Sequence, residues 1–259
     1  MDNSHKWIAF LTITKKEITR FTRIWTQTLL PPVITQSLYF VIFGGFIGSQ
    51  VGKINGISYM AFLVPGLVMM AVITSSFSNV VSSFFGAKFQ KNIEELMVSP
   101  TPNWIVIAGF VAGGVLRGII VGFIVFLVSF TFVRPQIYNI GWIIIFVTLT
   151  AIVFSLGGLL NGIFAKKFDD VAIFPTFILT PLTYLGGVFY SVKDLSQPWS
   201  TISQFNPVLY MVNGFRYGFY GEGFSDVNVF FSLFMLIAST LILFIICLRL
   251  LNKGTGLRS

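Results

Sequence analysis

The sequence predicts an all-α integral membrane protein, and three observations carry that expectation. The chain of 259 residues is 55% hydrophobic and only 10% charged, whereas a soluble domain carries about 25% charge. Six apolar runs approach or exceed the ~20 residues that an α-helix needs to cross a bilayer. The connections between them are mostly short, which leaves no room for a second globular domain, so residues 1–259 read as one transmembrane domain.

The elements follow in order. Residues 5–24 read as an amphipathic helix: Trp7, Phe10, Leu11, Thr14, Ile18, Phe21 and Trp25 recur at spacings of three and four, with Lys15, Lys16, Arg20 and Arg23 mainly off that stripe. Such a helix suits the membrane interface. Spans are expected near 26–48, 59–83, 104–130, 142–165, 171–190 and 228–249. The fifth is short and holds Pro175 and Pro181, which predicts a kink packed against protein. No cleavable signal peptide is expected, since the short run from Trp7 is followed by Lys15, Lys16 and Glu17 without a small-residue cleavage pattern.

Charge sets the expected orientation. With the N-terminus inside, the cytoplasmic side gathers Lys6, Lys15, Lys16, Arg20 and Arg23, then Lys88 and Lys91, Lys166 and Lys167, and Arg249, Lys253 and Arg258. The outer side holds only Lys53, Arg134, Lys193 and Arg216. That asymmetry places both termini in the cytoplasm. It also accounts for the net charge of +8 without a nucleic-acid partner.

Catalytic constellations are sparse. His5 is the single histidine and lies before the first span, so no histidine base is available at depth beside a serine nucleophile. With Cys247 as the single cysteine, the ligands for a zinc site are also too few. No GxxxxGK[ST] pattern is present to cradle nucleotide phosphates. All nine acidic residues, from Asp2 and Glu17 to Glu222 and Asp226, fall outside the apolar runs. A transporter driven by an ion gradient keeps a carboxylate at membrane depth. With none expected there, uphill transport has to draw its energy from a partner.

Three segments stand out. The inner loop FFGAKFQKNIEELMVSPTPNW spaces Phe85, Phe89, Ile93 and Leu96 as one face of a short helix, stopped by Pro100 and Pro102. The outer segment QFNPVLYMVNGFRYGFYGEG offers Asn206 as N-cap, Pro207 at the first helical position, and Gly221 and Gly223 as stops. The ~14 residues between, rich in aromatics such as Tyr210 and Tyr217, are too few to span and predict a re-entrant or interfacial helix. Arg117 falls mid-span among Gly109, Gly113, Gly114, Gly118 and Gly122. It faces either an anionic substrate or headgroup, or helix carbonyls to which it is tethered. The glycines allow another helix to come close.

The stretches Glu94–Pro100 (EELMVSP) and Asn206–Tyr217 (NPVLYMVNGFRY), in a six-span chain with an amphipathic N-terminal helix, resemble the type-2 ATP-binding-cassette exporter permeases. The resemblance covers nearly the whole chain. It implies a bacterial inner-membrane subunit, not itself an enzyme, that forms a homodimer and binds two copies of a separate ATPase, which carries the ATP and magnesium. It implies that the inner loop, with Phe89, Ile93, Glu94, Glu95, Leu96, Ser99 and Pro100, is the coupling helix. The segment with Asn206, Pro207, Tyr210, Arg216 and Tyr217 would form the outer re-entrant helices. Tyr39, Phe40, Phe43, Phe174 and Phe177 become candidates to line the substrate path. The cargo is left open among lipid-linked, amphiphilic and drug-like molecules. A six-span secondary transporter or channel and a non-transporting scaffold are the rival readings.

Overall fold

A computed structural model describes residues 2–54 and 56–256. Arg258, counted above among the inner cations, lies outside them. Helix α1 (Asn3–Arg23) leads into α2 (Trp25–Val51) and a small hairpin of β1 (Lys53–Ile54) and β2 (Ile57–Ser58). Then come α3 (Tyr59–Phe89), α4 (Asn92–Val98), α5 (Asn103–Ser129) and α6 (Ile140–Phe164). Helix α7 covers 168–185, and α8 (Trp199–Gln204), α9 (Pro207–Tyr220) and α10 (Val229–Lys253) complete the chain.

Five helices, α2, α3, α5, α6 and α10, are long and apolar enough to cross a membrane. Helix α7, from the fifth apolar run, is not one of them. It consists of an α segment of 7 residues, a π-helical turn of 5 (Pro175–Leu179) and an α segment of 6. At ~1.5 Å per residue that is about 27 Å, slightly less than a ~30 Å hydrocarbon core. The kink expected at the prolines takes the form of this π turn. Proline has no N–H to donate, and the Thr180 hydroxyl donates to the Pro175 carbonyl at 2.9 Å.

Helix α3 is the axis of the bundle: 89% of its most apolar window is buried, against 17% for α2 and for α10. Hydrogen bonds gather the connections at two ends. At one, Lys88 Nζ donates to the carbonyls of Ile163 (2.9 Å) and Ala165 (2.7 Å), placing a cation where α6 leaves carbonyls unpaired. At the same end Asn103 Nδ2 donates to Asn252 at 2.7 Å. At the other, the Tyr59 hydroxyl donates to the Phe189 carbonyl at 2.9 Å and the Tyr138 N–H to Gly218 at 3.1 Å. The loops thus fall into the two sets that the charge pattern separates.

Helix α1 is amphipathic as expected, but its buried stripe meets protein rather than headgroups. Ile13, Glu17 and Phe21 are buried. Ile13 sits against Gly109 and Glu17 against Gly113, where a Cβ would have no room. Two successive turns of α1 therefore match two successive turns of α5 in the same direction, and the helix lies along α5. Trp7, Ile8 and Leu11 remain exposed on its other side.

Candidate functional site

The segment 84–104 departs from the expected single helix. Helix α3 continues through the loop to Phe89, and the chain turns at Lys91, whose φ of 61° is in the left-handed region. Only then does the 7-residue α4 begin. Glu94 and Glu95 occupy its first turn, exposed, where the helix dipole favours negative charge. Ser99 Oγ donates to the Leu96 carbonyl at 2.6 Å, and the exposed Pro100, with Pro102, ends the segment. The expected stripe of Phe89, Ile93 and Leu96 is therefore split. Ile93, 1% exposed, faces its own chain in a core cluster with Ile13, Phe84 and Phe110. Leu96 is half-buried. Phe89 is exposed, its ring 4.9 Å from that of Phe168 at the start of α7. Val98, 88% exposed, was not singled out from sequence.

The segment with Asn206 and Pro207 forms the expected helix. Asn206 caps α9 by accepting from the Val208 N–H (3.0 Å) and holds α7 by donating to the Leu182 carbonyl (2.6 Å). Pro207 takes the first position, and Gly221, at φ 75°, ends the helix. Most of α9 is buried. Tyr210 donates to the Gln204 carbonyl, and the Tyr217 ring meets Tyr138 and Trp142 edge-on.

Arg216 is fully enclosed. It donates to the Gly187 carbonyl at 2.6 Å, lies 3.9 Å from the Asp226 carboxylate and sits over the Phe62 ring at 4.0 Å. Burial lowers its pKa to about 10 against the opposing pull of Asp226, so it stays protonated at neutral pH. Asp226 in turn accepts from Ser191 Oγ and the Val192 N–H, and Asn213 accepts from the N–H groups of Asp226 and Val227. Sequence reasoning missed Asn213 and Asp226. Asn213 lies inside the NPVLYMVNGFRY stretch, but its partners 13 and 14 residues on are set by tertiary folding.

A second polar cluster lies inside the bundle. Arg117 is buried and donates to the Thr28 carbonyl at 2.9 Å, while the Thr28 hydroxyl donates back to Phe21 at 2.8 Å. Arg117 thus clamps the joint between α1 and α2. The glycine stripe divides its work: Gly109 and Gly113 receive α1, Gly118 and Gly122 receive α3, and Gly114 lies against Ser155 of α6 and Val80 of α3. Glu17, fully buried, accepts from Ser83 Oγ at 2.6 Å and pairs with Arg20 at 3.3 Å. Arg20 also donates to the Asn79 carbonyl and side-chain oxygen. Gly113 lies ten residues into α5, about 15 Å along its axis at ~1.5 Å per residue. The expectation of no carboxylate within the bundle is therefore corrected: Glu17 is outside every apolar run, yet tertiary packing carries it inside.

The candidate path residues separate. Phe40 is fully buried and stacked on Phe132 at 5.5 Å, so it lines no open path. Tyr39 shares a hydrogen bond with Tyr184 at 3.0 Å, and Phe43 packs on Phe189 at 4.6 Å. Phe174 stacks on Phe77, and Phe177 is exposed. No group of three or more His, Cys, Asp or Glu that could hold a metal is found among the described residues.

A helical bundle with five long apolar helices, a short acidic helix at one end and a buried capped helix at the other defines a multi-pass membrane protein. Residues 8–220 match the family of ABC-2 type transporters, and the chain belongs to that family. It is 54% identical over 253 residues to the inner membrane transport permease YadH of Escherichia coli (strain K12), covering 98% of both chains. More distantly, it is 22% identical over 225 residues to nodulation protein J of Rhizobium leguminosarum bv. trifolii (86% of this chain, 85% of that one). The corresponding protein of Rhizobium meliloti (strain 1021) is 19% identical over 215 residues (83% and 81%).

Proposed function

We propose that this chain is the permease subunit of an ATP-driven exporter in a bacterial inner membrane. It works as a homodimer with two copies of a separate ABC ATPase, which binds ATP and magnesium. Helix α7 serves as the fifth of six spans and both termini face the ATPase. The single observation that carries the reading is the family match across 8–220, and the likeness to the inner membrane permease YadH supports the inner membrane. Helix α4 is the docking element: Glu94 and Glu95 fix register against basic groups, which gives specificity more than affinity. Leu96, Val98 and Phe89 supply apolar contact, as an amphipathic helix docks into a groove. ATP binding draws the two α4 helices together and shifts the paired permeases between inward- and outward-facing states. Helix α9 serves as the outer re-entrant element, and Trp7, Ile8 and Leu11 of α1 meet headgroups. The cargo is a lipid-linked, amphiphilic or drug-like molecule. Glu17 is the one group that favours ion coupling instead, but Arg20 neutralises it.

Pull-down of the ATPase by the tagged permease tests this. Leu96→Asp puts an unpaired charge against the apolar groove and is expected to abolish capture while membrane insertion stays normal. Reversing Glu94 and Glu95 together weakens capture in a salt-dependent way. Undiminished capture by both variants removes α4 as the docking element.

A further inference from the structure

Between α6, α7, α9 and α10 lies a cleft of about 530 Å³ that reaches inward to Phe77 of α3. One side is closed by Phe174, stacked on Phe77 at 5.3 Å. We propose that this cleft holds one acyl chain of a bilayer phospholipid, with the headgroup at Lys166 and Lys167.

The lining selects hydrocarbon. No charged side chain contributes to it, and its two polar side chains are engaged elsewhere: Asn161 Nδ2 donates to the Val171 carbonyl (3.2 Å) and Ser239 Oγ to Met235 (2.7 Å). Water would find few partners there, and an empty cleft would deprive its walls of dispersion contacts. The volume is within the ~300–1,000 Å³ of ordinary ligand sites. At the mouth stands Ile242, 57% exposed, beside the exposed Leu241, Ile245 and Ile246 of α10. The cleft therefore continues a surface that already faces lipid.

Length and charge select a chain from one leaflet. Along α6 the lining runs from Val153 to Phe164, about 16 Å at ~1.5 Å per residue. Half of a ~30 Å hydrocarbon core is about 15 Å. Phe164 is the last residue of α6, and the exposed Lys166 and Lys167 follow it, placed for a lipid phosphate. The π turn at Pro175–Leu179 helps shape the opposite wall, which includes the buried Leu179, and such turns recur at functional sites.

The full chain, reconstituted in phosphatidylethanolamine and phosphatidylglycerol vesicles doped with a phospholipid bearing a mid-chain diazirine, is irradiated and its adducts mapped by peptide mass spectrometry. No ATPase is needed, so the outcome is independent of the transport reading. Adducts are expected on Val153–Leu160 and on Leu179 and Leu182, above the level on freely exposed Leu127 and Phe234. A Cβ at Gly157 would meet the Phe77 ring at 3.7 Å, an ordinary contact, so Gly157→Leu has room to fill the cleft. That variant should cut wall labelling several-fold and leave Leu127 and Phe234 unchanged. Ile242→Trp, which blocks the mouth without entering the core, should do the same should Gly157→Leu fail to fold. Replacing Lys166 and Lys167 by Ala should reduce wall labelling. Wall labelling no higher than at Leu127 and Phe234, or unchanged in Ile242→Trp, overturns the proposal.

Discussion

Glu17 carries its buried charge on two partners, Ser83 Oγ and the Arg20 guanidinium. Breaking a fully buried pair costs roughly 3–5 kcal/mol, because the remaining charge is stranded. Arg20 keeps 29% exposure and its bonds to Asn79, so water relieves part of that cost. Glu17→Ala is expected to lower stability by about 2–3 kcal/mol. Glu17→Gln, which still accepts from Ser83, should cost less. Thermal unfolding in mild detergent measures both, and equal melting of Glu17→Ala and the parent would show the pair to be idle. Nothing local marks Glu17 in the sequence. It lies between Lys16 and Arg20 on an amphipathic helix, and its burial depends on Gly113, nearly a hundred residues on. Arg117 was readable as a mid-span cation needing a carbonyl, but its partner Thr28 was not, for the same reason.

At the scale of elements, α4 separates two kinds of apolar residue. Ile93 belongs to this chain's own core, whereas Val98 is almost wholly exposed. Ile93→Asp should lower the melting temperature of the isolated permease, since it buries an unpaired charge. Val98→Asp should leave melting unchanged. A thermal shift of similar size in both would contradict the placement of α4. Helix α9 was read from sequence almost to its bounds, because Asn206, Pro207 and Gly221 act through local chemistry. The split of the α3–α4 region was not, because the break falls at Lys91 without a glycine or proline to announce it. The kink in α7 was readable from Pro175 and Pro181, though not its π-helical form.

For the whole molecule, the two ends of the bundle give a direct test of orientation. In a Cys247→Ala background, single cysteines at Lys53 and Ser196 should react in intact cells with an impermeant thiol reagent. Cysteines at Lys91 and Lys167 should not. All four positions are exposed, so silence reports sidedness rather than burial. Labelling at Lys91 or Lys167 would invert the assignment of α4 to the ATPase side. Five of the six expected spans and the gathering of loops at two ends could be read from apolar length and charge, which are properties of each segment alone. The order of packing around α3 could not, since the apolar runs look alike in one dimension.

The seating of α1 on Gly109 and Gly113 has a consequence for biogenesis. Helix α1 is made before α5, and its seat there is completed about a hundred residues later. At the ~5–20 residues per second of synthesis, that is a delay of roughly 5–20 s. During that interval the Ile13–Glu17–Phe21 stripe has no protein to cover it, and a carboxylate cannot wait in hydrocarbon. The nascent helix must rest in the headgroup layer, where amphipathic helices are stable. The polar and apolar faces of α1 are then a parking device for synthesis as much as a packing surface for the finished permease.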